Sequence, residues 1–414
     1  MTDIQKFQLI SFTAGSVFTP GSPINGQDLF SGRTDQIKKV LGAISQKGYH
    51  AILYGERGVG KTSLSNVLGA IMQGMGVQVI APHVNCDSHD TFSSLWHKVF
   101  KEISTSRAKQ GIGFGAADVT TVTPLTAQLP DNITPDIVRQ TLTGLSQGGN
   151  TVLLIFDEFD RIQHKDVTTL MADTIKMLSD TGVTATILLI GVADSVDALI
   201  QDHISIERAL VQIPMPRMSN QEITQIVKKG ADKLGVTFSN DALEEIKYLS
   251  QGLPYITHLL ALHSVRVAAD LHTLTITTQH VHSAIKIALE QWQESIKVAY
   301  FDAIKSHQPV NMYKEVLLAC ALAKTDEFGY FTAAAVRSPL KAITGKNYEI
   351  PNFAKHLKDF SDDARGTILQ RVGEARRFRH RFASPLMRPY ITIRGVAEGM
   401  IDQVKIQKLN EEEG

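Results

Sequence analysis

Apolar positions fall into three regimes along the chain. Between residues 29 and 217, short apolar runs at 51–54 (AILY), 77–81 (VQVIA), 151–156 (TVLLIF) and 184–190 (TATILLI) alternate with helical periodicity at 33–47, 61–73 and 90–104. Strands that are apolar almost throughout are covered on both faces, and their alternation with helices predicts an α/β domain on a parallel sheet. A short strand near 210–214 would complete that sheet. From 219 to about 300 the strand pattern vanishes, and four helical segments predict an all-α domain over 218–300, with Ser219 and Ser239 as N-caps. The remainder, with a last domain over 301–414, carries helical patterns at 297–306, 312–323, 332–343 and 351–361, then a β-like pair near 367–372 and 377–383. Helices closed by a hairpin predict a winged helix-turn-helix. Residues 1–28, rich in Gly, Pro, Ser and Thr, read as an extended N-terminal arm, and 106–135 reads as a long loop.

Composition narrows the class. With 43% apolar and 20% charged residues the chain carries no mark of disorder, and its length of 414 residues predicts several cores. The formal net charge is zero, so affinity for nucleic acid would have to come from a local patch. Two distant cysteines, Cys86 and Cys320, exclude a disulfide framework and a cysteine zinc cluster, and fit a reducing cytoplasm. Neither an export signal nor a membrane-spanning apolar run is legible.

The strongest chemical signal is GERGVGKT at 55–62, between a predicted strand and a predicted helix. Gly55, Gly58 and Gly60 let successive backbone N–H groups turn toward phosphate oxygens, while Glu56, Arg57, Val59 and Ser63 complete the cradle. Lys61 would reach the β and γ phosphates of a nucleoside triphosphate, and Thr62 would bind Mg²⁺. About a hundred residues on, VLLIFDE ends an apolar strand in two acids. Asp157 is the second metal candidate, and Glu158 the candidate that orients and activates the attacking water. Asp160 lies one turn too far along.

Together these segments resemble the AAA+ superfamily over residues 29–300, especially its origin-initiator-like and signalling (STAND-like) bacterial branch. Phe30-Ser-Gly32-Arg33 is similar to that family's box against the nucleotide base and ribose, which makes Phe30 and Arg33 binding candidates. The resemblance implies a polar sensor after the 184–190 strand, for which Asp194 or Ser195 is the candidate, or else a helix N-cap. It further implies an arginine finger offered in trans within a homo-oligomer, with Arg208 first and Arg217 second. Gly252-Leu-Pro254 is similar to the turn that opens the family's helical lid, so Pro254 joins the nucleotide-binding set. Tyr255 stands where many members carry arginine, leaving His258 and Arg266 as weak substitutes. ATP and Mg²⁺ are the implied cofactors.

Between residues 365 and 394 there are eight arginines and one acid, Glu374. Arg371, Arg376, Arg377, Arg379 and Arg381 concentrate in the predicted hairpin, where a basic wing could lie along DNA phosphates. Two functions stay open at this point. One is a DNA-associated initiator or loader whose ATP state controls assembly. The other is a signalling or defence ATPase that controls an effector protein without DNA.

Overall fold

In the computed structural model the described residues are 3–24, 30–109, 119–147, 149–192, 204–306, 311–326, 329–374, 377–402 and 405, with backbone alone for 104–109, 119–123, 128, 204 and 205. They form two compact units: Pro23–Gly55 with Lys61–Met215, and Met1–Ser22 with Glu56–Gly60 and Pro216–Gly414. The N-terminal segment departs from its expected extended form. Helix α1 (Asp3–Val17) buries Ile10, Ala14 and Val17 within the second unit. Phe18, fully buried, follows them and lies against Gly230, where any Cβ would overlap its ring. Tertiary burial of this stripe overrides the weak helix propensity of its Thr, Ser and Gly residues.

The α/β unit is built from α2 (Thr34–Ile44), β1 (His50–Tyr54), α3 (Lys61–Gly74), β2 (Val79–Ile80), β3 (His83–Asn85) and α4 (Phe92–Lys101). It continues through β4 (Ser104–Lys109), β5 (Val119–Pro124), α5 (Pro135–Ser146), β6 (Thr151–Asp157), α6 (Lys165–Thr181), β7 (Ala185–Gly191) and β8 (Leu210–Pro214). The sheet order is β2-β6-β7-β1-β8, with β3 also beside β6. Every pairing in this sheet is parallel. All seven residues of β7 and six of seven in β6 are buried, as strands covered on both faces require. Trp96 anchors the core on one face, its ring 5.3 Å from Phe156 and 5.4 Å from Phe100. The stretch expected as a loop over 106–135 instead holds the antiparallel hairpin β4–β5 and the start of α5, capped by the Thr134 hydroxyl. Its polar, Thr-rich strands lack the apolar alternation that would have marked them.

In the second unit α7 (Asn220–Leu234), α8 (Asn240–Ser250), α9 (Pro254–Asp270) and α10 (Thr278–Gln291) form the lid. Ser219 and Ser239 cap α7 and α8 through Glu222 N–H and Ala242 N–H, both at 3.3 Å. A two-residue parallel pair, β9 (Thr237–Phe238) with β10 (Thr275–Ile276), interrupts what reads in sequence as helices alone. Next come α11 (Glu294–Ile304), α12 (Tyr313–Leu322), β11 (Phe331–Thr332), α13 (Arg337–Thr344), α14 (Ile350–Phe360), β12 (Leu369–Val372), β13 (Arg379–Phe382) and α15 (Met387–Ala397). The antiparallel order β11-β13-β12 on α12–α14 is a winged helix. Along β13 His380 and Phe382 are buried while Arg379 is exposed and Arg381 half-buried, the alternation predicted for a strand with one charged face.

Two stability consequences follow from this packing. Trp96→Ala should destabilise the α/β unit by about 3–5 kcal/mol, read as a lower denaturation midpoint. Burial pushes the imidazoles of His50, His258 and His380 down to about 4. A folded pKa below the unfolded value means that the unfolded chain binds more protons between the two. The stabilising contribution is therefore complete above about pH 6.5 and lost as pH falls toward 4. The melting temperature should drop between pH 7 and pH 5, with a smaller drop in His258→Leu.

Candidate nucleotide-binding site

Because the sheet is parallel, β1, β6, β7 and β8 all end at one edge, where open α/β sheets bind ligands. At this edge β1 runs into Gly55. A Cβ there would overlap the Met215 carbonyl oxygen just past β8, so glycine alone permits the approach. Gly58 (φ +84°) and Gly60 (φ +95°) then turn the chain through backbone that side-chain-bearing residues avoid. Val59, fully buried, anchors the loop between them, and Arg57 is exposed. The loop delivers Lys61 as the first residue of α3, so the positive end of that helix faces the turn. Lys61 Nζ donates to the Gly55 carbonyl at 2.9 Å. The Ser63 hydroxyl accepts from Ile24 N–H at 3.1 Å, tying the preceding segment to the helix start.

Asp157 ends β6 at 3% exposure. Its Oδ1 accepts the Glu158 N–H at 2.8 Å, whereas buried Oδ2 has no hydrogen-bond partner. Burial alone would raise its pKa, but His83, the Thr62 hydroxyl and the Glu158 N–H together outweigh burial and hold the carboxyl below the usual carboxylate range. Thr62 and Asp157, the two metal candidates, are thus side by side. His83 was not legible as a site residue. Because β3 runs parallel to β6 with Asn85 in register with Asp157, His83 Nε2 comes to 3.5 Å from Asp157 Oδ2, too long for a good hydrogen bond. The only sequence signal was a lone histidine beside a two-residue apolar run.

Glu158 is half exposed and adopts φ +55°, a left-handed conformation that is strained for a residue with a side chain. Its Oε2 pairs with Arg161 at 2.8 Å. Within the second unit, Glu56 of the loop pairs with Arg217 at 2.8 Å, and Pro254 lies 3.8 Å from where a Cβ on Gly60 would sit.

The remaining candidates are placed elsewhere. Phe30 and Arg33 lead into α2, Arg33 buried at φ +63°. Asp194, Ser195 and Arg376 lie outside the described residues. Arg208 is 78% exposed and pairs with Asp180 at 2.9 Å, a surface arrangement. His258 is buried edge-on to Phe18, with ring centres 6.0 Å apart, and Arg266 lies against Gly15 of α1; both have packing roles. Tyr255 packs edge-on to Trp292 at 6.5 Å. No group of three or more His, Cys, Asp or Glu side chains that could hold a metal occurs among the described residues. Two ligands completed by phosphate and water suit Mg²⁺ without such a group.

Residues 29–187 match the family described as the AAA ATPase domain. No curated protein matches the chain. Among solved structures, the ORC2 protein of Aeropyrum pernix is similar over 95% of this chain and 97% of its own, at 15% identity and a TM-score of 0.50. A Walker-type ATPase of Pyrococcus abyssi matches at 15% identity and TM-score 0.49, covering 91% and 99% of the two chains. Cdc6p of Pyrobaculum aerophilum matches at 14% and 0.47, covering 96% and 98%. At such identities the likeness is one of fold.

Lys61→Ala removes the ammonium at the start of α3 and is expected to abolish ATP binding in a calorimetric titration. Unchanged affinity would remove this loop from the nucleotide site.

Proposed function

Since the chain is an AAA+ P-loop ATPase, we propose that it binds ATP and Mg²⁺ through Gly55–Ser63 and Asp157, hydrolyses ATP with Glu158, and couples nucleotide state to self-association and to DNA held by its winged helix. The observation that carries the catalytic part is the buried Asp157 carboxylate, with one oxygen lacking a hydrogen bond, beside the Thr62 hydroxyl at the positive end of α3. A buried anion with an unfilled lone pair fits a hard divalent cation. Mg²⁺ held by Thr62 and Asp157 would neutralise charge between the transferred and leaving phosphates.

Lys61 and the backbone N–H groups of Gly58–Lys61 bind the phosphates. Glu158, at the solvent side of the strand end, orients the attacking water, and its exposed pairing with Arg161 can exchange for that water. Arg208 belongs to the surface that meets a neighbouring copy. Its pairing with Asp180 is exposed enough to exchange for a phosphate in trans. Asp194 remains the sensor assignment on position alone.

For DNA, the winged helix divides its arginines into two groups. Arg365 donates to the Ala303 carbonyl at 2.6 Å beneath the Tyr313 ring, Arg388 makes three bonds to residues 321, 323 and 325, and Arg394 is bridged to Glu398. These three hold the domain together. Arg371, Arg377, Arg379 and Arg381 belong to the hairpin, Arg371 stacked on Phe378 and the guanidinia of Arg379 and Arg381 over Tyr330. Arg379 also pairs with Asp326 at 3.1 Å and Arg381 Nε donates to Gln370 at 2.7 Å, exposed contacts that can exchange for phosphate oxygens. Asp359 of α14, which would repel DNA if exposed, accepts from the Tyr313 hydroxyl at 2.6 Å.

Glu158→Gln should keep ATP affinity and slow turnover by about a hundredfold or more; normal turnover would move the catalytic role elsewhere. Replacing Arg371, Arg377, Arg379 and Arg381 with Glu should weaken DNA binding and flatten its salt dependence. If the wild-type chain binds no DNA at low salt, the DNA reading fails, and the effector-controlling ATPase takes its place.

A further inference from the structure

Arg217 is a half-buried cation that the hydrolysis scheme does not use. Its Nε and one terminal nitrogen reach Glu56 Oε2 at 2.9 and 2.8 Å, and the other terminal nitrogen donates to the Gln251 carbonyl at 3.3 Å. The two side chains are only 19% and 17% exposed, so solvent screens the pair weakly. Glu56 is the second residue of the phosphate loop.

The backbone on the Arg217 side is fixed. Met218 N–H donates to the Gly252 carbonyl at 2.8 Å, and a Cβ on Gly252 would come within 2.8 Å of Arg217 Cβ. That turn continues into Pro254, which borders Gly60 at the far end of the loop. Glu56 Oε1 also lies against Gly329 (φ +80°), where a Cβ would overlap it. The turn containing Gly329 is closed by Asp326, which accepts from Tyr330 N–H at 2.9 Å and pairs with Arg379 of the wing at 3.1 Å. Glu56 is therefore gripped between the segment leading into the lid and the winged helix.

We propose that Arg217 is a positioning residue that acts on ATP in cis, through Glu56, by holding the phosphate loop in its binding shape. The proposal rests on the reading of Gly55–Thr62 as the ATP site. A loop with three glycines loses much conformational freedom when it closes on phosphates. Pinning its second residue removes part of that loss before ATP arrives. The benefit is the same in the ground state and the transition state, so it enters KM and leaves kcat alone. An arginine finger acting in trans has the opposite signature: it touches only the developing charge and sets kcat.

Steady-state ATPase assays on the full chain separate these cases. Arg217→Ala and Glu56→Gln are each expected to raise KM for ATP by about tenfold with kcat within about twofold, and the double variant should be no worse than either single one. Arg217→Lys, which keeps the charge and loses the fork, should fall between wild type and Arg217→Ala. The exchange Glu56→Arg with Arg217→Glu should recover part of the affinity, which a merely destabilised protein would not do. A fall in kcat at unchanged KM, or multiplying effects in the double variant, would overturn the proposal. Glu56→Gln, the smallest change, keeps the test open should Arg217→Ala not fold. Lys61→Ala is the reference: if it binds ATP like wild type, the loop assignment itself is wrong. If it loses ATP while Arg217→Ala keeps a normal KM, only the clamp is wrong.

Discussion

A buried carboxylate at the end of a buried strand is the constraint on which the site depends. Leu153, Leu154, Ile155 and Phe156 are inaccessible or nearly so, which fixes β6 between layers and leaves Asp157 little freedom to reach water. An anion in that position must be compensated. The compensation comes from neighbours that the sheet order supplies: Thr62 at the start of the helix following β1, His83 from the parallel β3, and the Glu158 N–H bonded within the strand end itself. The left-handed backbone of Glu158 follows from the same demand, since turning its N–H back onto Asp157 redirects the chain. The candidate site is therefore assembled by the packing that stabilises the sheet.

Charge elsewhere is sorted by the same rule. The arginines between 365 and 394 look uniform in sequence, yet Arg365, Arg388 and Arg394 are spent on carbonyls, rings and a carboxylate inside the winged helix. On the hairpin, Arg371, Arg379 and Arg381 stand over aromatic rings, and Arg379 and Arg381 make their polar contacts, to Asp326 and Gln370, at the exposed surface. Arginine suits both uses because its planar fork satisfies several acceptors in one direction and stacks in the other. Local charge density thus overstates the basic surface, and the hairpin alone keeps the property that the whole segment advertised.

Much of the fold was legible because it rests on local periodicity. Continuous apolar runs gave β1, β6 and β7; Ser219 and Ser239 gave two lid helices; alternation through Arg379–Phe382 gave the wing. Where burial came from distant partners, periodicity failed. Helix α1 hides among Gly, Ser and Thr, and is helical because its Ile10, Ala14 and Val17 stripe is buried in the second unit. The β4–β5 hairpin is polar on both sides of its register, so nothing in its composition separated it from loop.

The sequence by itself determined the candidate phosphate loop, since no fold is needed to see that three glycines, a lysine and a threonine at that spacing can expose backbone N–H groups to an anion. It determined the acidic strand end as well. Only the tertiary structure decided that Thr62 and Asp157 are neighbours, that His83 joins them, and that Arg217 faces Glu56 across 161 positions of chain. The reason is physical: hydrogen-bonding capacity belongs to a residue and can be read locally, whereas the partner that satisfies a buried charge is chosen by strand order and helix packing, which no local pattern encodes.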